Sequence, residues 1–227
     1  KKKAAFQAAE RRLSTMNKKY KHIVFDVDGT LLDTAYCILY SLREALLAVT
    51  GFSPEIEEMG HVLGRTSIGN MEYFGITDRA EETIALWVEN EAKHSDLMQP
   101  FEGIPELLEA LKNAGCTLGI VTSRTHEELD LVLDPLPIRP YFTVEICSDD
   151  TEEHKPSPAP LLKYMEETGA GSGEILYVGD SSGDGKCASA AGVDFACAVW
   201  GAHENPHIPA QYHPETPAEL ARMLLEA

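Results

Sequence analysis

The sequence predicts an α/β protein in which a parallel β-sheet is covered by helices and an all-helical lid is inserted after the first strand. Three observations predict this. Short apolar runs, each of strand length and apolar on both faces, recur along the second half of the chain. Amphipathic helical stretches separate them, the alternation that builds a covered parallel sheet. Between residues 34 and 98, by contrast, helical spacing continues almost without strand signals. A chain of 227 residues, 44% apolar and 25% charged, suffices for one or two domains with a sizeable core.

The elements follow in order. Residues 22–26 form an apolar run that ends in acids and Gly29, a strand delivering a loop. Ile38, Leu39, Leu42, Ala45, Leu46 and Val49 recur at the three-to-four spacing of one helix face, which Gly51 ends. A second lid helix is expected over 78–97, with Ile84, Leu86, Trp87 and Val88 as its apolar residues. Pro100 and Gly103 punctuate the return to the sheet. A helix over 104–114, stopped by Gly115, leads to a strand over 117–122. Further strands are expected at 142–147, 175–178 and 193–199, with helices near 125–133, 158–168, 183–191 and 216–226. No internal repeat is present. The predicted division is a core of 16–33 plus 100–227, a cap of 34–99, and residues 1–15 as a basic arm or an added segment ahead of a natural start at Met16.

Charge and cysteine content exclude several functions. The formal charge is −18, and residues 1–21 hold eight of the nineteen basic side chains, so the body beyond them is more acidic still. Such a surface repels nucleic acid and phosphorylated metabolites at long range, so an anionic ligand needs a locally recruited cation. No apolar run reaches the roughly 18 residues a bilayer span requires. The five cysteines are scattered without a paired spacing and read as reduced core thiols. With no secretory apolar stretch near the beginning, a cytoplasmic protein is expected. The late histidines His203, His207 and His213, in a Pro-rich stretch, read as loop residues rather than metal ligands.

In open α/β sheets ligands sit beyond the carboxyl ends of the strands. There the sequence places Asp26-Val-Asp28-Gly29-Thr30, Thr122-Ser123-Arg124 and Gly179-Asp180 with Asp184 four residues on, while Lys155-Pro156 opens a helix between them. Carboxylates from separate segments crowding one crevice disfavour joint ionisation. A divalent, oxygen-seeking cation resolves the conflict, and Mg²⁺ takes a few carboxylates while keeping waters and a phosphate as its other ligands. The acidic crevice thereby becomes a phosphate receiver, with Lys155 supplying charge and Thr122 a hydroxyl. Taken singly each piece has a plainer reading: Asp-Gly as a turn, Asp184 as a helix cap, and the acids at 149–153 as a solvated loop.

The four segments in this order resemble the haloacid dehalogenase superfamily, in the helical-cap subgroup that contains phosphoglycolate phosphatase and β-phosphoglucomutase. The resemblance covers about residues 20–200. It implies a Rossmann-like core, Mg²⁺ dependence and phosphoryl transfer through an aspartyl-phosphate. Carried over, Asp26 is the nucleophile and Asp28 the general acid and base, a duty that requires a pKa raised towards neutrality. The resemblance further implies Asp26, the Asp28 backbone carbonyl and Asp180 as metal ligands, with Asp184 supporting the metal through water. Gly29, Thr122, Ser123 and Lys155 would cradle the phosphate. The acid at Asp28 speaks against dehalogenase activity. The absence of an early cap lysine speaks against a phosphonatase.

Phosphatase and β-phosphoglucomutase-type mutase both use this chemistry, so the leading expectation is a phosphatase acting on a small phosphorylated metabolite, as monomer or homodimer. Arg65, in the stretch where the subgroup carries its specificity loop, is a candidate to grip a carboxylate or second phosphate, and Arg124 a candidate to reach the phosphate. A phospho-accepting signalling receiver shares the acidic pocket, Thr and Lys-Pro but has about half this length and no lid.

Overall fold

The computed structural model describes residues 19–202 and 208–226. The expectations for residues 1–15, Met16, His203 and His207 therefore lie outside the described residues. Five parallel strands form the central sheet: β1 (His22–Phe25), β4 (Thr117–Val121), β5 (Val144–Ile146), β6 (Ile175–Gly179) and β7 (Asp194–Cys197), in the spatial order β5-β4-β1-β6-β7. With β1 central, the chain reverses its direction of winding beside it, and a crevice opens at the carboxyl ends of β1, β4 and β6.

Alternation along the strands sends side chains to two separate apolar layers. Ile23 and Phe25 join Leu118, Ile120, Leu176 and Val178 beneath α4 (Ile104–Asn113), α5 (His126–Leu133) and α8 (Pro217–Leu225). Val24 and Tyr177 lie on the opposite face with Ile146 and Phe195, beneath α6 (Ala159–Thr168) and α7 (Ser182–Ala191). Burial on both faces explains why these strands read as continuous apolar runs. Several helices end where the sequence places glycine in the left-handed region, for instance Gly169 (φ 70°) after α6 and Gly192 (φ 69°) after α7.

A second, two-stranded antiparallel sheet pairs β2 (Leu32–Asp33) with β3 (Gln99–Pro100). It had no signature in the sequence, because two residues are too few for any period to show. It stands where the chain leaves the core and returns. Between these strands lie α1 (Ala35–Thr50), α2 (Ser67–Phe74) and α3 (Ala80–Lys93). The expected face of α1 is buried, and Leu42, Ala45 and Leu46 meet Met59, Met71 and Trp87 in a third apolar cluster. α3 is shorter than expected: it stops at Lys93, and residues 95–97 form a separate 3₁₀ turn. Its inward face also carries Thr83, Asn90 and Glu91. Polar residues on a buried helix face break the apolar period: Thr83 donates to the Arg79 carbonyl and Asn90 to the Ser41 carbonyl of α1, while Glu91 borders the crevice. The short helix α2 was unforeseen; the Thr66 hydroxyl caps it by accepting from the Gly69 N–H at 3.1 Å.

Candidate active site

β1 ends by delivering Asp26, 3% exposed, into the crevice. The chain then turns back tightly: the Leu31 and Leu32 N–H groups donate to the Val27 carbonyl, and the Gly29 N–H donates to the Leu32 carbonyl. β4 delivers Thr122 and β6 delivers Asp180, while Lys155 arrives from the segment ahead of α6. Asp26, Asp180 and Asp184 offer carboxylate oxygens within 4.8 Å of one another. Lys155 Nζ lies 2.9 Å from Asp26 Oδ1 and 2.8 Å from Asp184 Oδ1. Thr30 donates its hydroxyl to Asp180 Oδ1 at 3.2 Å.

Electrostatics follow from this packing. Burial, reinforced by Asp184 and Asp28, pushes Asp26 up to about 7 despite Lys155. Asp180 is pushed well above the usual carboxylate range by burial and by the charges of Asp184 and Asp26. Asp184 goes the other way: although burial opposes it, Lys155 and Ser181 together hold it below the ordinary value. Lys155 is likewise raised, its burial outweighed by Asp184 and Asp26.

Asp26 and Asp184 thus share one ammonium, Asp180 accepts from Thr30, and ionising all three carboxylates together would leave two negative charges that Lys155 does not offset. A dication matches that deficit, and an all-oxygen donor set suits Mg²⁺. Beside it a hollow of about 10 Å³ is bounded by Asp28, Gly29 and Asp180, on the order of a single small ion or water. Gly29 sits at φ 74°, and a Cβ there would fall 2.3 Å from Asp180 Oδ2. Gly29→Ala should displace that carboxylate, and we expect about tenfold weaker Mg²⁺ affinity. Isothermal titration of the metal checks this.

Asp28 and Arg124 depart from expectation. Asp28 does not have a pKa raised towards neutrality. Arg124 Nε and Nη2 reach its two oxygens at 2.8 Å each, and the Thr34 hydroxyl donates to Oδ1 at 2.7 Å. Burial works against ionisation, but this bidentate clamp holds the carboxyl below its usual range. Arg124 is 7% exposed, and its remaining Nη1 binds Glu91 Oε2 at 2.9 Å, so its guanidinium is engaged by two carboxylates at the cavity wall. One core guanidinium therefore ties the loop after β1 to helix α3 of the cap. Glu91 is pushed up by burial, with Arg124 pulling the other way.

Other contacts also join cap and core. Ser123 donates its hydroxyl to the Gly64 carbonyl at 3.2 Å rather than standing free for a phosphate. Ser67 donates to Glu128 Oε1 at 2.5 Å. Between cap and core the space beside Asp26 and Asp28 is about 40 Å³. Thr122 is buried, and its hydroxyl accepts from the Arg124 N–H at 3.2 Å. Arg65 lies at the cavity rim, donates through Nε to the His61 carbonyl at 2.9 Å and stacks over exposed Tyr73.

Asp184 performs both the plain and the functional duty. Oδ2 accepts from the Ser181 N–H and hydroxyl, which caps α7, while Oδ1 holds Lys155. With both oxygens engaged it positions Lys155 directly instead of supporting the metal through water alone. The Tyr177 hydroxyl, 3.0 Å from Asp184 Oδ1 and 3.4 Å from Lys155, belongs to the same network and was not foreseen, since a Tyr in an apolar strand reads as core. Glu91 and Thr34 were missed as well. The first hides in a charged helix, while the second stands six residues after Asp28, a spacing that carries no signal by itself. The acids after β5 are scaffolding: Asp150 accepts from His126 and from the Cys147 N–H, and Asp149 from the His126 N–H. His213 bonds to the Ile208 carbonyl, as a loop histidine should.

A parallel sheet in this order, a helical cap and an acid-and-lysine crevice define a class of hydrolases, and comparison with known proteins identifies it. Residues 23–198 match the haloacid dehalogenase-like hydrolases. Phosphoglycolate phosphatases of Xylella fastidiosa (strain 9a5c) and Aquifex aeolicus are each 31% identical, over 89% of this chain and 90% and 95% of their own lengths. An N-acetylmuramic acid 6-phosphate phosphatase of Pseudomonas aeruginosa is 28% identical over 92% of this chain and 94% of its own. Among solved structures, a Lactobacillus plantarum protein 30% identical superimposes with a TM-score of 0.83, covering 90% of this chain and 99% of its own. The chain belongs to the haloacid dehalogenase-like hydrolases, in the subgroup of the phosphoglycolate phosphatases, and it is a phosphoric monoester hydrolase.

Proposed function

We propose that this phosphatase hydrolyses a small phosphorylated metabolite in two steps through an aspartyl-phosphate on Asp26, with Mg²⁺ as cofactor. The observation that carries the reading is the cluster of Asp26, Asp180 and Asp184 carboxylates, with Lys155 held between Asp26 and Asp184. In the first step an Asp26 oxygen bonds to phosphorus as the bond to the alcohol oxygen breaks, and Asp28 gives that oxygen its proton. In the second, water attacks phosphorus, Asp28 takes the water's proton, and the bond to Asp26 breaks to release phosphate. Mg²⁺, held by Asp26, Asp180 and the Asp28 backbone carbonyl, would supply positive charge against the phosphoryl oxygens.

Lys155 adds charge on the same side, and Thr122 a hydroxyl. Asp28 is clamped by Arg124, which holds its carboxyl below the usual range, the condition that suits a base. Acting as an acid requires that clamp to loosen, so this reading couples the first proton transfer to movement of the Arg124–Glu91 link. The buried thiols of Cys37, Cys147, Cys187 and Cys197, in no disulfide, suit a reducing cytoplasm.

The test is phosphate release from 4-nitrophenyl phosphate with Mg²⁺, lost on chelation and restored by readdition. Release that is indifferent to chelation, or absent throughout, overturns the proposal. Removing the metal should also move stability in a pH-dependent way. A carboxyl whose folded pKa is raised to about 7 favours folding at low pH, and that contribution fades as pH rises from about 4 through 7. The metal-free protein therefore loses stability towards pH 8. Because Mg²⁺ offsets the exposed conflict, the rise in melting temperature on its addition should be larger at pH 8 than at pH 6, as differential scanning fluorimetry reads.

A further inference from the structure

The cavity beside Asp28, between α3 and the loop after β4, is where an alcohol leaving from a phosphate on Asp26 must sit, because Asp28 has to reach its oxygen. The lining of this cavity is unlike that of a site for an anion. Glu91 from the cap and Glu128 from the core both border it along with Asp28. Both Glu side chains are buried, 4% and 8% exposed. The buried cation there, Arg124, has committed Nε and Nη2 to Asp28 and Nη1 to Glu91. Arg65 stands at the exposed rim, where it donates Nε to the His61 carbonyl and stacks on Tyr73. Lys155 is held between Asp26 and Asp184. The rest of the wall includes Trp87, Ile38 and Val88, apolar surface against which a carbon skeleton can lie.

A carboxylate on the leaving alcohol would face Glu91 and Glu128 where the buried cation, Arg124, is already committed to Asp28 and Glu91, and like charges crowded in a buried cavity repel strongly. A hydroxyl, by contrast, donates to carboxylate oxygens that can only accept. From this we infer that the leaving group of the natural substrate is an alcohol without a negative charge that offers hydrogen-bond donors, such as a polyol or sugar, and that Glu91 and Glu128 select for it. The inference rests on the phosphatase reading above. It sets this chain apart from relatives named for phosphoglycolate, whose leaving group is an anion.

A matched pair of substrates isolates the charge: 2-phosphoglycolate and 2-hydroxyethyl phosphate differ only by a carboxylate in place of CH₂OH. With Mg²⁺ present, kcat/KM should favour 2-hydroxyethyl phosphate by about tenfold or more. In Glu128→Gln, which keeps acceptor oxygen and size, kcat/KM for phosphoglycolate should rise by about threefold or more relative to its partner. Glu91→Gln should shift the ratio the same way, and Glu128→Gln answers the question alone if Glu91→Gln fails to fold. Turnover of 4-nitrophenyl phosphate together with equal or better use of phosphoglycolate, or a ratio unmoved by Glu128→Gln, overturns the inference while leaving the phosphatase intact. No release from any of the three substrates overturns the phosphatase reading and the inference with it.

Discussion

Asp26→Asn is expected to abolish turnover of any phosphate ester, by at least about 1,000-fold in kcat, while the protein stays folded. The amide keeps the shape of the side chain but cannot form the bond to phosphorus. Its effect on stability should be small, because the carboxylate it replaces is in conflict with its surroundings. Burial and Asp184 already push Asp26 up to about 7, and Lys155 keeps Asp184 as a partner when Asp26 is gone. Steady-state phosphate release and a thermal melt on the same preparation separate the two effects. Activity retained within about tenfold of the parent would remove Asp26 from the role of nucleophile.

Lys155→Met should have the largest effect on stability. The ammonium is buried between Asp26 and Asp184, with side chains 2%, 4% and 0% exposed, and Tyr177 completes its surroundings. Exposed ion pairs contribute little, but removing one partner of a buried group strands the others, at a cost of about 3–5 kcal/mol. That is a large share of the roughly 5–15 kcal/mol by which a domain is stable. A drop in the urea midpoint without a change in slope is expected, together with loss of turnover. If the cause is charge rather than lost packing, Mg²⁺ should restore part of the midpoint, since a dication supplies the positive charge that methionine lacks. A midpoint unaffected by the substitution would mean the three carboxylates are not ionised together.

The arrangement of the site also explains why an acidic body can handle phosphate. The body beyond residue 21 carries a large excess of acids, and the crevice adds more. Asp26 and Asp184 share Lys155, Asp28 has Arg124, and four carboxylates against these two cations leave the deficit of a dication. With a dication in place the local charge would be balanced, so a phosphate would no longer meet the acid excess carried by the rest of the body.

Local chemistry alone determined much of this protein. Strand runs apolar on both faces, the α1 face from Ile38 to Val49 and glycines past helix ends identify the layers, because period and turn chemistry are properties of neighbours in the chain. The acids at strand ends were legible for a related reason: a parallel sheet fixes which end of each strand faces the crevice, so Asp26, Thr122 and Asp180 converge whatever the details. The tertiary structure decided what those groups do to one another. Nothing near Asp28 in sequence foretells that Arg124, almost a hundred residues on, clamps it ionised, or that Glu91 of the cap holds the far side of the same guanidinium. Nor does the strand run containing Tyr177 show that its hydroxyl turns towards Asp184. The pKa of a buried group is set by charges and dehydration within a few ångströms in space, and a sequence orders residues by bonds rather than by distance.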